Sequence, residues 1–257
     1  MKRIATLFLL LVMILTSYTA QAQEPVATPQ DAIAALLNRI GGKGTADRFA
    51  IEIDPSLAEN GKDVFVITAQ GGKPCIKGNS QLSVATGINW YLNHHAHINL
   101  TWNNLTTDLV SATLPLPAGE EKHVCNTTYR YNFDAAVFSY STAFWTWERW
   151  QKEIDWMALH GINAPLNLVG YEVVTRNFLR KIGVNEEIIK NYITGPGYLA
   201  FFATSCLEGL GSHINVNGTY MNGNPDWWYE RQEKLSKDML QRMRELGMQP
   251  VIPGFSG

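Results

Sequence analysis

Between residues 129 and 252 the apolar pattern switches between two periods: short apolar runs at 129–136, 162–169 and 249–252 are separated by helical stretches at 146–160 and 225–246. Gly161 and Gly247 close those helices just before the next run. Strand, helix, strand, helix, strand with a glycine at each return is the rhythm of a parallel sheet with crossover helices. It is compatible with a closed barrel or an open doubly wound sheet. In both, function gathers in the loops after the strands' C-terminal ends.

Those loops are residues 136–145, residues 170–226 and whatever follows Gly254. The middle one is long for a compact domain, which marks it as functional or as carrying structure of its own. It holds two short helical stretches, 172–182 and 185–192. It also holds Tyr171, Glu172, Tyr198, Phe201, Phe202, Glu208 and a polar, glycine-dotted stretch at 212–224. Residues 130–202 contain 15 aromatic residues in 73, against 11 in the 162 other residues that follow the leader described next. Such a concentration builds either a large core or a ligand cleft.

The first 22 residues have the three parts of a secretory signal. Lys2 and Arg3 open it, residues 4–15 are almost unbroken apolar, and Ala20-Gln21-Ala22 offers a cleavage site. Export, to a periplasmic or secreted location, is therefore expected, and no later segment is apolar enough to span a bilayer. From Asp31, Ile33, Leu36, Leu37 and Ile40 share a helical face that ends at Gly41-Gly42. Residues 49–53 and 63–69 read as strands with turn chemistry between them at residues 59–62, and residues 73–77 as a short third strand. Asn79 is expected to cap a helix through Trp90 and Tyr91. Residues 106–122, with Pro115, Pro117 and Gly119, suit a linker or domain joint.

Composition removes several function classes. Lys and Arg total 21 against 23 Asp and Glu, with no basic run, so nucleic acid is not an expected partner. Cys75, Cys125 and Cys206 are too few and too scattered for a disulfide scaffold or a Cys-x-x-Cys metal site, though one pair is possible. His94, His95 and His97 lie at a helix C-terminus, where capping and surface roles outweigh metal binding. No cofactor motif occurs: the chain has no phosphate loop, Gly-x-Ser-x-Gly elbow or metal helix.

Carboxylates at strand ends beside aromatic rings are what glycoside hydrolysis needs, since an acid, an anionic partner and flat apolar surfaces must surround the sugar. Glu172, just after the second strand, is the best-placed candidate, although a carboxylate also suits the start of a helix there. Asp134, near the end of the first strand, is a second candidate that local backbone could equally claim.

Trp145, Trp147, Trp150, Glu153, Asp155, Trp156, Gly161 and Asn163 form one run of large and polar residues at fixed spacing. With Gly170-Tyr171-Glu172, Thr194-Gly195-Pro196 and the segment from Gly247 through Pro250 and Pro253 to Gly257, it resembles the alpha-N-acetylglucosaminidases, family 89 of the glycoside hydrolases. The resemblance covers the chain from about residue 30 onward. It implies a small N-terminal α/β domain followed by a (β/α)8 barrel. It also implies a retaining exo-hydrolysis of terminal alpha-linked N-acetylglucosamine, without metal, through two glutamates on later barrel strands. On that pattern the catalytic pair lies outside this chain, and Glu172, Phe201, Asp134 and Tyr171 are expected to line the sugar pocket. Tyr171 stands where members carry glutamine, Phe201 where they carry tryptophan, and Asp134 where they carry an amide. The expected partner is thus a glycan with a terminal N-acetylglucosamine.

The fold class expected is α/β, a small α+β domain followed by the first strands and helices of an incomplete (β/α)8 barrel. The expected division is residues 1–22 as signal, 23–122 as N-terminal domain with linker, and 123–257 as the barrel portion. Those last 135 residues fall well short of the about 250 that a whole barrel takes. Two further readings stand beside the enzyme: an inactive, divergent relative that at most binds carbohydrate, and a carbohydrate-binding module built on the tryptophans.

Overall fold

A computed structural model of the chain describes residues 28–193, 195–197, 199–200, 224–252 and 254. The expected signal segment, Phe201, Cys206, Glu208 and most of residues 212–224 lie outside the described residues.

Helix α1, Pro29–Gly41, starts two residues before the expected Asp31 because of Thr28. The Thr28 hydroxyl accepts from the Asp31 N–H and the Asp31 carboxylate accepts from the Thr28 N–H, a reciprocal cap, and Pro29 fits the first helical position. Ile33, Leu36, Leu37 and Ile40 are buried as their spacing predicts. Strands β1 (Ala50–Ile53), β2 (Val64–Gln70) and β3 (Lys73–Gly78) follow, then helix α2 (Gln81–His94) and strand β4 (Glu121–Val124). The sheet order is β1-β3-β2-β4.

Gly71 and Gly72, both at positive φ, make the two-residue turn between β2 and β3. The expected turn at residues 59–62 also forms, with Asn60 and Gly61 at positive φ and Lys62 N–H bonded to Glu59 C=O. It does not join β1 to β2 as a hairpin, since β1 runs parallel to β3. The cap of α2 is Ser80 rather than Asn79: its hydroxyl accepts from Ser83 N–H at 3.1 Å, while Asn79 Oδ1 accepts from Val64 N–H at 2.7 Å and ties the helix entry to the sheet. Gly87 lies flat on the sheet, where a Cβ would meet Ile76 Cγ2 at 2.7 Å.

The proline-dotted joint is fastened rather than loose. Leu109 is buried, Arg48 donates to the carbonyls of Leu109, Val110 and Ala112, and Tyr91 Oη donates to Pro115 C=O. Its last residues enter β4, an edge strand that the charged sequence Glu121-Lys122-His123 conceals.

Strand β5 (Tyr131–Asn132), helix α3 (Trp147–Leu159), strand β6 (Ala164–Pro165), helices α4 (Tyr171–Lys181) and α5 (Glu186–Tyr192), and helix α6 (Asp226–Glu245) make up the second unit. β5 and β6 are parallel, and a parallel bridge from Leu166 to Val251 adds the third expected strand position. The three apolar runs thus pair as expected in direction but over much less length. Phe133, at φ 74, turns the chain out of β5. Asn163 enters β6 with its amide spent on backbone, Oδ1 accepting from Arg130 N–H at 2.8 Å and Nδ2 donating to Thr128 C=O at 2.7 Å.

Trp150, Ile154, Met157 and Ala158 of α3 are fully buried, and one apolar cluster runs without a break from α1 and the sheet through α3 to α6. Two polar ties reinforce that junction. Arg39 of α1 grips Asp155 of α3 through two bonds of 2.7 and 2.8 Å, and Trp102 Nε1 donates to Glu153 at 2.7 Å. Among the described residues no helix is long and apolar enough to cross a membrane.

Candidate functional site

The C-terminal ends of β5, β6 and the Val251 bridge point the same way, so the segments leaving them share one side of the unit. After β5, Asp134 is exposed and caps a short 3-10 turn, Ala135–Ser139, its carboxylate accepting from Ala136 N–H at 2.5 Å. After β6, Asn167 folds back to accept from Val169 N–H at 3.0 Å and to reach Ser236 Oγ at 3.3 Å. Gly170 then adopts φ 85, with α6 so close that a Cβ would meet Ser236 Cβ at 3.0 Å. That turn launches α4 with Tyr171 and Glu172 in its first turn.

Glu172 is only 1% exposed. Trp228 Nε1 of α6 donates to its Oε1 at 2.9 Å. Gln232, also buried, approaches more loosely, and neither Glu172 Oε2 nor Gln232 Oε1 closes a well-formed hydrogen bond. Burial pushes the Glu172 carboxyl above its usual range, against the pull of hydrogen bonds from backbone, Trp228 and Gln232. The carboxyl faces an indole rather than open space. Its placement locks α4 onto α6.

Tyr171 is half-buried and borders a cavity of about 170 Å³ with Asn167, Val169, Val174, Ser236 and Leu240. Burial raises its phenol. Of the four expected pocket residues, the fold therefore seats Tyr171 and Glu172 side by side on α4, sets Asp134 on a separate loop with its carboxylate engaged by backbone, and leaves Phe201 outside the described residues.

The partner of Glu172 is not foreseeable locally, since Trp228 lies 56 residues downstream. Around Trp228 gather Phe144, edge-on at 6.0 Å, Trp227, edge-on at 5.9 Å, and the Arg231 guanidinium at 5.2 Å.

The histidines at the end of α2 have protein partners: His94 stacks on Trp90, and His95 stacks on Tyr91 and reaches Glu121 at 3.3 Å. Cys75 and Cys125 are both free thiols.

Comparison with known proteins gives a consistent set of relatives. Residues 31–117 match the family model described as the alpha-N-acetylglucosaminidase (NAGLU) N-terminal domain, and residues 130–257 match that of the alpha-N-acetylglucosaminidase (NAGLU) tim-barrel domain. The human alpha-N-acetylglucosaminidase is 32% identical over 230 residues, which cover 88% of this chain and 29% of the human protein. A family 89 glycoside hydrolase from Clostridium perfringens, solved in complex with PUGNAc, is 31% identical with a TM-score of 0.74 over 89% of this chain and 25% of that one. A doubly Glu→Gln-substituted form from the same organism, in complex with its substrate GlcNAc-alpha-1,4-galactose, is 30% identical with a TM-score of 0.71 over 89% of this chain and 25% of that one. The chain thus spans between a quarter and three-tenths of the length of these relatives.

Proposed function

The chain belongs to the alpha-N-acetylglucosaminidase family, family 89 of the glycoside hydrolases, whose N-terminal part it spans, and from that premise we propose that it serves an exported glycosidase acting on terminal alpha-linked N-acetylglucosamine in glycoconjugates. The observation that carries this reading is the order of the two domain matches, one on the sheet unit and one on the parallel-strand unit. In this reading β5, β6 and the Val251 position are the first three strands of a (β/α)8 barrel, and the reaction is a retaining exo-hydrolysis with no metal or cofactor. The leader that ends at Ala22 directs export to a periplasmic or secreted location.

Glu172, Tyr171, Phe201 and Asp134 serve the sugar pocket, not the acid or nucleophile step. The engagement of Glu172 by Trp228 and of Asp134 by Ala136 N–H favours that assignment, because neither carboxylate is presented to a bond that must be broken. The same observation favours a second reading, in which the 257-residue chain binds carbohydrate without hydrolysing it.

Binding and hydrolysis of a chromogenic alpha-N-acetylglucosaminide by the purified chain test both readings, and turnover by this chain overturns the second. Saturable sugar binding without turnover is the expected result. Turnover abolished by no carboxylate among these four residues places the chemistry elsewhere in the chain, and an absence of both binding and turnover removes the glycosidase reading of this polypeptide.

A further inference from the structure

The aromatic residues around Trp228 have two faces with different chemistry. On its inner side the indole N–H is spent on Glu172, and Trp228 itself is only 4% exposed. On its outer side stand Phe144 and Trp227, each edge-on to Trp228 and 66% and 60% exposed respectively. Large rings this open need an explanation when they cluster, because a single exposed aromatic is ordinary but two beside one buried indole form a patch.

The patch is also built. Arg231 spreads over Trp228 at 5.2 Å and its Nη2 donates to the carbonyls of Phe144 and Trp145 at 3.4 and 3.3 Å, so the loop after β5 is tied to the first turns of α6. Phe144 and Trp227, distant in sequence, are thereby held beside the same ring. Both rings lie on segments that frame the strand-end side of the unit, Phe144 between β5 and α3 and Trp227 at the start of α6.

We propose that Phe144 and Trp227 form an outer sugar subsite that stacks on the pyranose ring next to the terminal sugar. This rests on the reading above that Glu172 and Tyr171 serve the terminal sugar's pocket. The chemistry is that of a neutral pyranose: its axial C–H groups give one apolar face that suits an open indole or phenyl ring, while its hydroxyls remain in water. No charge is required of the ligand, and Arg231, engaged by two carbonyls and an indole, holds the platform in place. Trp228 joins the inner and outer positions, being in contact with Glu172 on one side and with both exposed rings on the other.

The test compares one ring with two on the 257-residue chain. Methyl alpha-N-acetylglucosaminide and the disaccharide GlcNAc-alpha-1,4-galactose are titrated by calorimetry, with tryptophan fluorescence as a second readout. The disaccharide is expected to bind about fivefold tighter, the scale of one aromatic contact. Trp227→Ala brings the disaccharide's affinity down to that of the single ring, Trp227→Phe keeps part of the gain, and Phe144→Ala loses part of it. Circular dichroism of each variant separates a lost contact from a lost fold. Binding of the single ring with no gain for the disaccharide, or a gain indifferent to Trp227→Ala and Phe144→Ala, overturns the subsite and leaves the terminal-sugar reading standing. Failure of both sugars to bind overturns that reading and the subsite with it.

Discussion

The four-stranded sheet and the parallel strands beside it draw on similar apolar runs, yet they are ordered by different means. β2 and β3 stay in register from Phe65–Gly78 to Gln70–Lys73, a ladder whose hairpin turn fixes every pair. β5 and β6 meet only at Tyr131–Ala164 and Asn132–Pro165. What the parallel strands lack in ladder they replace with side chains: Asn163 and Asn167 bond to backbone at the entry and exit of β6, and the helices carry the burial. A sheet that is closed by its own register should tolerate loss of a neighbour, and strands held by helices should not.

The largest expected effect tests that difference at Trp150. Its ring is fully buried and meets Phe133 at 5.7 Å, Phe138 at 5.9 Å and Trp145 at 5.1 Å, so it holds the exit of β5 against α3. Trp150→Ala should cost about 4 kcal/mol of stability, read from urea denaturation. Hydrogen exchange should show α3 and β5 amides losing protection well before those of β2 and β3. Equal loss in both places would mean that the continuous core makes the two regions one cooperative unit, and the comparison would fail.

An intermediate effect is expected at Gly87, on the sheet side. Because its Cβ would collide with Ile76 and press the Phe65 ring at 3.1 Å, Gly87→Ala must push α2 off the sheet at an expected cost of about 2 kcal/mol. Here the protection lost should be that of β2, β3 and α2, the mirror of the Trp150 result. A variant as stable as the parent would show that the helix has room the packing denies.

The same contrast explains what could be read from sequence. The helices were legible because periodic apolar residues and glycine stops are local signals, as at Trp150, Ile154 and Met157 ahead of Gly161. Strand direction in the second unit was legible from the crossover rhythm, while strand length was not, since an apolar run marks burial and not pairing. Phe133, Ala135 and Ala136 are half-buried and residues 167–169 are buried without joining a ladder. β4 was hidden for the opposite reason, being a charged edge strand whose partner is set by the sheet. At the candidate site, Glu172 was marked by its place after a strand and Tyr171 by the family resemblance. What holds Glu172 depends on Trp228 and Gln232, which only the return of α6 brings near.

The smallest effect concerns that carboxyl and one like it. The second unit buries Glu153, Asp155 and Glu172, and burial pushes Asp155 and Glu172 above their usual range. Asp155 is countered by the Arg39 guanidinium, a full opposite charge, whereas Glu172 has an indole and a loosely placed amide. The consequence for stability follows from proton binding. A carboxyl whose folded pKa is raised binds a proton that the unfolded chain has released, so its contribution is fully present below the ordinary carboxylate pKa and is lost as pH rises through the raised value. Glu172→Gln removes this penalty at neutral pH and leaves an oxygen for the Trp228 N–H to bond. The variant should therefore be about 1 kcal/mol more stable than the parent near pH 7, with the difference closing as pH falls toward about 4. Urea midpoints across that range measure it. If the two chains instead keep parallel pH profiles, Glu172 stays ionised where it lies, and the loose approach of Gln232 would have to be a firm bond to an anion.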